Sequence, residues 1–299
     1  MYDDILIPTD GSEAAERAVD YGAVLATAFD ATVHALSVVD ERDYDGITGD
    51  ESDVMREGVE AAKTAAEAAV DDVAERVDGD VTTHVTVGVP SEAILEYVEA
   101  AGIDLVVMAT HGRTGVERFI IGSVAEKVVR RADVPVVTVR VSEDLPLWPP
   151  IDRILVPTDG SDAAAVAVSH ALDLAERFDA TVDVVAVLDE RTKLELYNVG
   201  TALEDVVGGL ESTAKRATRA IRDRATERGL DVTTAVVEGL PSRTICARAA
   251  ETGADLVVMS THGRTGLAHY LLGSVAERVV RNSSVPVCTV PVDDELVDA

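Results

Sequence analysis

The octapeptide ILIPTDGS at residues 5–12 returns as ILVPTDGS at 154–161, and the loop ATHGRTG at 109–115 returns as STHGRTG at 260–266. A repeat of about half the chain lays one structural plan down twice. Whatever the first half folds into, the second must fold into also. The boundary falls in VSEDLPLWPPI, residues 141–151, where acidic residues, Trp148 and Pro146, Pro149 and Pro150 interrupt the periodic pattern. The expected division is a domain over 1–142, a linker over 143–150 and a second domain over 151–299.

Each copy carries the same device near its end. Leu105–Met108 is a short apolar run of the kind that forms a buried strand, and the polar, glycine-bearing loop from Ala109 ends it abruptly. After the connection from Arg113 to Ile121, Gly122 and Ser123 open a segment with Val124, Val128 and Val129 at helical spacing. A helix start offers unpaired backbone N–H groups and the positive end of the helix dipole, so an anion is its natural occupant, phosphate above all. Residues 255–290 repeat the arrangement.

Taken in order, the first half reads as strands at Asp4–Ile7, Ala31–Val39, Val81–Val87, Leu105–Met108 and Val136–Val141. Helices lie between them: one ending near Phe29, one over Val54–Val77, one from Ser91 to Ala101 and one from Ser123. Asp10 or Ser12 can cap the first helix, with Glu13 three residues after Asp10 in capping-box spacing. The second half repeats this order, with strands near 153–156, 181–188, 232–237, 255–259 and 286–291. It departs between Glu190 and Leu210, where Tyr197, Gly200, Gly208 and Gly209 break the helical pattern and a longer loop is expected. Strands alternating with helices give an α/β fold with a parallel sheet covered on both faces.

At 299 residues and 47% hydrophobic content the chain can build two real cores. No apolar run approaches a membrane span and no secretory leader is read at the start, so a cytoplasmic location is expected. Cys246 and Cys288 lack zinc-ligand spacing and read as buried free thiols. The charge is extreme: 55 acidic against 26 basic residues, net −29, with Lys63, Lys127, Lys193 and Lys215 the whole lysine complement. Such a surface repels nucleic acid and anionic membrane, which need clustered Lys and Arg. It suits high salt, where screening suppresses self-repulsion. The melting temperature is therefore expected to fall between molar and millimolar salt; an unchanged value rejects the halophilic reading.

In doubly wound sheets ligands sit beyond the carboxyl ends of the strands, where the strand order reverses. Asp10 would stand at one lip of such a site and Gly112, Gly122 and Ser123 at the other, with Val38 and Met108 walling a slot for a base. The carboxylate can accept from ribose hydroxyls, glycine lets backbone approach phosphates, and the Ser123 hydroxyl can donate to them. Taken singly, Asp10 and Ser123 are ordinary helix caps and Val38 and Met108 ordinary core. Taken jointly, and twice, they point to a site. His111 and His262 read either as donors beside a polyphosphate or as loop packing.

These residues bring the chain to a family: it resembles the universal stress proteins in their tandem two-domain form, over nearly all of both halves. Nucleotide-binding members carry Gly, two residues, Gly, nine residues, then Gly followed by Ser or Thr. Here Ala109-Thr110-His111-Gly112 precedes Gly122-Ser123, and Ser260-Thr261-His262-Gly263 precedes Gly273-Ser274, with the spacing kept and the first glycine replaced by Ala109 and Ser260. The resemblance implies two Rossmann-like, adenine nucleotide alpha hydrolase-like domains, each with five parallel strands in the order 3-2-1-4-5. It also implies ATP with Mg²⁺ as ligand, Asp10 and Asp159 on the ribose, Val38 and Val187 on the adenine, and the Gly and Ser positions on the phosphates. The complete candidate set is Pro8, Thr9, Asp10, Val38, Met108, Ala109, Gly112, Gly122, Ser123 and Val124, with Pro157, Thr158, Asp159, Val187, Met259, Ser260, Gly263, Gly273, Ser274 and Val275 in the second half. Ser260 is expected to add a donor, and a side chain at Gly122 to project into phosphate space.

The Walker A lysine, the GxGxxG fingerprint, and the HxGH and SGGxDS loops of related enzymes are absent, as is any nucleophile–base–orienter set or metal-ligand cluster. The expected role is a nucleotide-dependent regulator in the stress response, with at most slow ATP hydrolysis. The alternative is an interaction or scaffold protein of the same fold that binds no nucleotide. The apolar fifth strand, VPVVTVRV, would leave an adhesive edge if bare, so the halves are expected to pair as an intramolecular pseudo-dimer, with a further homodimer as an extension.

Overall fold

The computed structural model describes residues 1–43, 52–112, 121–140, 150–191, 203–263 and 272–292. It divides into two compact units, Met1–Pro149 and Pro150–Ala299. Residues 143–149 of the expected linker, Val141 of the expected fifth strand, Tyr197 and Gly200 all lie outside the described residues.

The first unit runs β1 (Asp4–Pro8), α1 (Glu13–Phe29), β2 (Thr32–Asp40), a 3₁₀ turn (Glu41–Asp43), α2 (Ser52–Arg76), β3 (Val81–Gly88), α3 (Pro90–Ala101), β4 (Leu105–Ala109), α4 (Ser123–Arg131) and β5 (Val136–Val139). All its strand pairs are parallel, in the order β3-β2-β1-β4-β5. The apolar runs that announce β1 and β4 occupy the middle of this sheet, and Ile5, Leu6, Ile7, Leu105, Val106 and Val107 are fully enclosed. Burying each such side chain contributes about 1.5–3 kcal/mol. The strand order reverses between β1 and β4, which opens a crevice at their carboxyl ends.

α1 shows how local chemistry sets the frame. Ser12, not Asp10, is its N-cap, the hydroxyl accepting from Ala15 N at 3.3 Å. The Asp10 carboxylate folds onto Ser12 N instead, at 3.0 Å, so the Asp10–Glu13 capping box does not form. Gly22 costs helix propensity of about 1 kcal/mol against alanine. It is needed because a Cβ there would run into the Ile7 side chain, so α1 lies directly on β1.

The second unit repeats the plan as β6 (Arg153–Pro157), α5 (Asp162–Phe178), β7 (Thr181–Asp189), α6 (Leu203–Glu227), β8 (Val232–Gly239), α7 (Pro241–Thr252), β9 (Leu256–Ser260), α8 (Ser274–Asn282) and β10 (Val287–Val290). Its order is β8-β7-β6-β9-β10, again parallel. One expectation is corrected: the loop read up to Leu210 gives way to helix from Leu203, which runs through Gly208 and Gly209. A Cβ at either glycine meets nothing within 4 Å, so both are tolerated in an open stretch of helix whose later turns pack on β7 and β8. Cys288 is buried, which pushes its thiol up to about 12, whereas Cys246 is only half-buried. Among the described residues no helix is long and apolar enough to cross a membrane.

Candidate functional site

In the first unit the crevice is a cavity of about 340 Å³. Pro8, Thr9 and Asp10 enter from the end of β1, Val38 from β2, Met108 and Ala109 from β4, Gly112 from the following loop, and Gly122, Ser123 and Val124 from the start of α4. Every first-half residue singled out from the sequence therefore lines one space. Its size lies within the roughly 300–1,000 Å³ usual for small-molecule sites. The cavity stays open with the Ala109 methyl in place.

The start of α4 forms one wall. Gly122 is the N-cap, extended at φ −63° and ψ 147°, and no side chain caps the helix. Ser123 is thus the first helical residue rather than a cap. Gly122 N donates to Thr110 O at 2.7 Å, which ties the helix start to the end of β4. The N–H groups of Ser123, Val124 and Ala125, in the first turn, have no intrahelical acceptor by helix geometry. Opposite them, Asp10 Oδ2 lies so close to Gly112 that a Cβ there would collide with it. The loops after β1 and β4 therefore meet closely at Gly112, where a side chain would oblige the Asp10 carboxylate to move aside.

His111 Nδ1 lies 2.9 Å from Thr110 Oγ1. Both ring tautomers fit this contact: the hydroxyl donates to Nδ1 when the ring proton is on Nε2 and accepts from Nδ1–H when it is not. Nε2 is buried with no partner among the described residues. Burial, with the Arg140 charge second, lowers the His111 pKa, so the ring is a neutral N–H donor at pH 7. The same Thr–His pair recurs at Thr261 and His262, also at 2.9 Å, with His262 Nε2 again buried and without a partner among the described residues. At the far rim, hydrogen bonds from the Arg42 side chain hold the Asp40 carboxyl below its usual range, and it is ionised.

The second unit places Pro157, Thr158 and Asp159 after β6, Val187 on β7, Met259 and Ser260 at the end of β9, and Ser274 and Val275 at the start of α8. A Cβ on Gly263 would lie 2.9 Å from Asp159 Oδ2, so the two loops again meet across a glycine. Gly273 N donates to Thr261 O at 2.8 Å, and Gly273 caps α8 with no side-chain bond. The expected extra donor is corrected here. The Ser260 hydroxyl donates to His262 O at 2.5 Å and is used within its own loop.

Further residues lining the first cavity were not singled out from the sequence, among them Ala15, Ser37, Ala62, Ala66, Pro90 and Ile94. Ala62 and Ala66 stand four apart, one face of a helix, but an alanine-rich helix offers several such faces. Ser37 was visible as a lone polar residue inside the run ALSVV.

A model described as the universal stress protein family matches residues 1–140 and again 150–291. A universal stress protein of Methanocaldococcus jannaschii is 39% identical over 138 residues, spanning 46% of this chain and 81% of that protein. A second from the same organism is 31% identical over 156 residues, spanning 47% and 96%. The crystal structure of a universal stress protein from Archaeoglobus fulgidus superposes with a TM-score of 0.64 over 98% of this chain and 97% of that one, at 23% identity, which speaks for the fold. The apolar strands, the paired glycine loops and these matches over both halves have one meaning: the chain belongs to the universal stress protein family and carries that family's domain twice.

Proposed function

We propose that the protein is a nucleotide-dependent regulator that binds ATP, with Mg²⁺ on the phosphates, in the crevice of each unit. The observation that supports this best is the convergence of Asp10, Val38, Met108, Gly112 and Gly122–Val124 on one cavity, from four separate stretches of chain. The donor set fits the ligand. Backbone N–H groups at the start of α4 suit phosphate. Gly112 and Gly122 keep the loop after β4 close to Asp10 and to the end of β4, since a Cβ at either position would press on the Asp10 carboxylate or on Thr110 O. The buried His111 Nε2 has no hydrogen-bond partner among the described residues, and a ligand could supply one. On this reading Asp10 accepts from the ribose and Val38 and Met108 enclose the base, with Asp159, Val187 and Met259 in those roles in the second unit.

Calorimetric titration of the full chain with Mg·ATP in molar salt is expected to show two sites. No heat, with the fold intact by circular dichroism, would move the reading to an interaction protein of the same fold. Docking of the two halves through their fifth strands belongs to the same proposal and rests on the apolar sequences VPVVTV and VPVCTV. Small-angle scattering from separately tumbling units would count against it.

A further inference from the structure

Asp40 is the last residue of β2, at the carboxyl end of the sheet, and it lines the cavity with its side chain 22% exposed. Its face follows from strand alternation. His34, on the same strand, reaches Tyr97 of α3 with Nδ1 at 3.0 Å from the phenol oxygen, so the even positions of β2, Val38 and Asp40 among them, face α3. Leu6 pairs with His34 on one side and with Val106 on the other, which puts Met108, two residues on, on that same face. The carboxylate therefore continues the wall that Val38 and Met108 give to the base. β1 lies between β2 and β4, so this end of the cavity is remote from the phosphate donors at the start of α4.

The carboxylate is held in place. Arg42 donates to Oδ1 from its backbone N at 3.1 Å and from Nε at 2.8 Å, and to Oδ2 from Nη2 at 2.5 Å. This fork orients the group and keeps it ionised. An ionised carboxylate only accepts, and with about four lone-pair sites it has room for a further donor beyond these three. A base amine arriving here would donate to it, whereas a base carbonyl would be repelled. The second unit keeps the device: Asp189 ends β7 and pairs with Gly239 as Asp40 pairs with Gly88, and Arg191 N donates to Asp189 Oδ1 at 2.9 Å.

We propose that Asp40, and Asp189 in the second unit, are specificity-determining residues that accept a hydrogen bond from the exocyclic amine of the nucleotide base. The inference rests on the ATP-binding proposal and goes further, to one group of the base and one side chain in each unit. A carboxylate that only braced the turn after β2 would be blind to which base is bound.

The test is calorimetric titration of the full chain with Gly273→Val, which confines binding to the first unit, with and without Asp40→Ala. The probes are Mg·ATP and the magnesium complex of purine riboside triphosphate, which is ATP without its amine. With Asp40 present, loss of the amine is expected to weaken binding about tenfold or more, the worth of one hydrogen bond to a charged group. Asp40→Ala should weaken ATP by the same factor and leave the amine-free nucleotide within about twofold, because the two changes remove one interaction. Equal affinity for the two nucleotides with Asp40 present, or ATP affinity unchanged by Asp40→Ala, would overturn the Asp40 inference and leave ATP binding standing. Equal weakening of both nucleotides by Asp40→Ala would overturn it too, by showing general damage to the cavity. Binding lost with Gly273→Val alone would show the first unit empty and remove the role given to Asp40. Absence of ATP binding in both the unmodified protein and the Gly273→Val chain, with native circular dichroism, would overturn both readings.

Discussion

Gly122→Val is expected to abolish ATP binding in the first unit and leave the second unit's site intact, and Gly273→Val to do the reverse. The sequence suggested that a side chain here would enter phosphate space; the structure gives a different cause. A Cβ on Gly122 would lie 3.1 Å from Thr110 O and 3.7 Å from His111 Cα, so the new side chain wedges the helix start away from the end of β4. The bond from Gly122 N to Thr110 O, now 2.7 Å, cannot survive that displacement. The N–H groups of Ser123 and Val124 then no longer aim at one point. Two hydrogen bonds to a charged phosphate at about 1.5–3 kcal/mol each amount to roughly 100-fold or more in affinity. Alanine should grade the effect. At Gly273 the corresponding contact with Thr261 O is 2.9 Å, inside the distance real Cβ atoms tolerate, so Gly273→Ala should harm its site more than Gly122→Ala harms the other. Titration of each variant reads this directly. Two undiminished sites in both valine variants, with native circular dichroism, would refute the role given to these helix starts.

Much of this site was legible because its geometry is local. The carboxyl ends of β1 and β4 and the start of α4 are each announced by an apolar run breaking into small or polar residues, and the fold brings such ends together at one edge of the sheet. The remainder depends on how helices lie across the sheet. Which alanines of α2 reach the cavity is set by packing against β2 and β3. Gly208 and Gly209 read as helix breakers, yet the helix runs through them, since packing of the later turns overrides propensity. Asp183, in the run TVDVVAV, is fully buried. Its partner, Arg248, is 65 residues further on and carries no local sign of the pairing.

That pair sets up a stability effect comparable to the loss of a site. Asp183 Oδ1 accepts from Arg248 Nη2 at 2.6 Å and from the Thr233 hydroxyl at 2.8 Å, which joins β7, β8 and α7 at one buried point. The matching place in the first unit holds a different set: His34, between the Tyr97 hydroxyl at 3.0 Å and Asp4 Oδ1 at 2.9 Å. One plan laid down twice thus accommodates either set, and the ion pair is not demanded by the fold. Breaking it from one side is nonetheless severe. Arg248→Leu leaves a carboxylate at 0% exposure with only a threonine hydroxyl, and the expected cost is about 3–5 kcal/mol, or roughly 10 °C or more in melting temperature. Removing both charges should restore most of it, because a buried ion pair contributes little beyond its own desolvation. Asp183→Val with Arg248→Leu places a β-branched residue in a strand and an aliphatic one on the facing helix. Tyr97→Phe in the first unit, which deletes a single hydrogen bond from a hydroxyl, should cost about 1 kcal/mol. Calorimetric melts of the three variants at fixed high salt decide the matter. If Arg248→Leu melts within a degree or two of the unmodified protein, or if the double variant is no more stable than Arg248→Leu alone, then the Asp183–Arg248 contact does not carry the stability assigned to it.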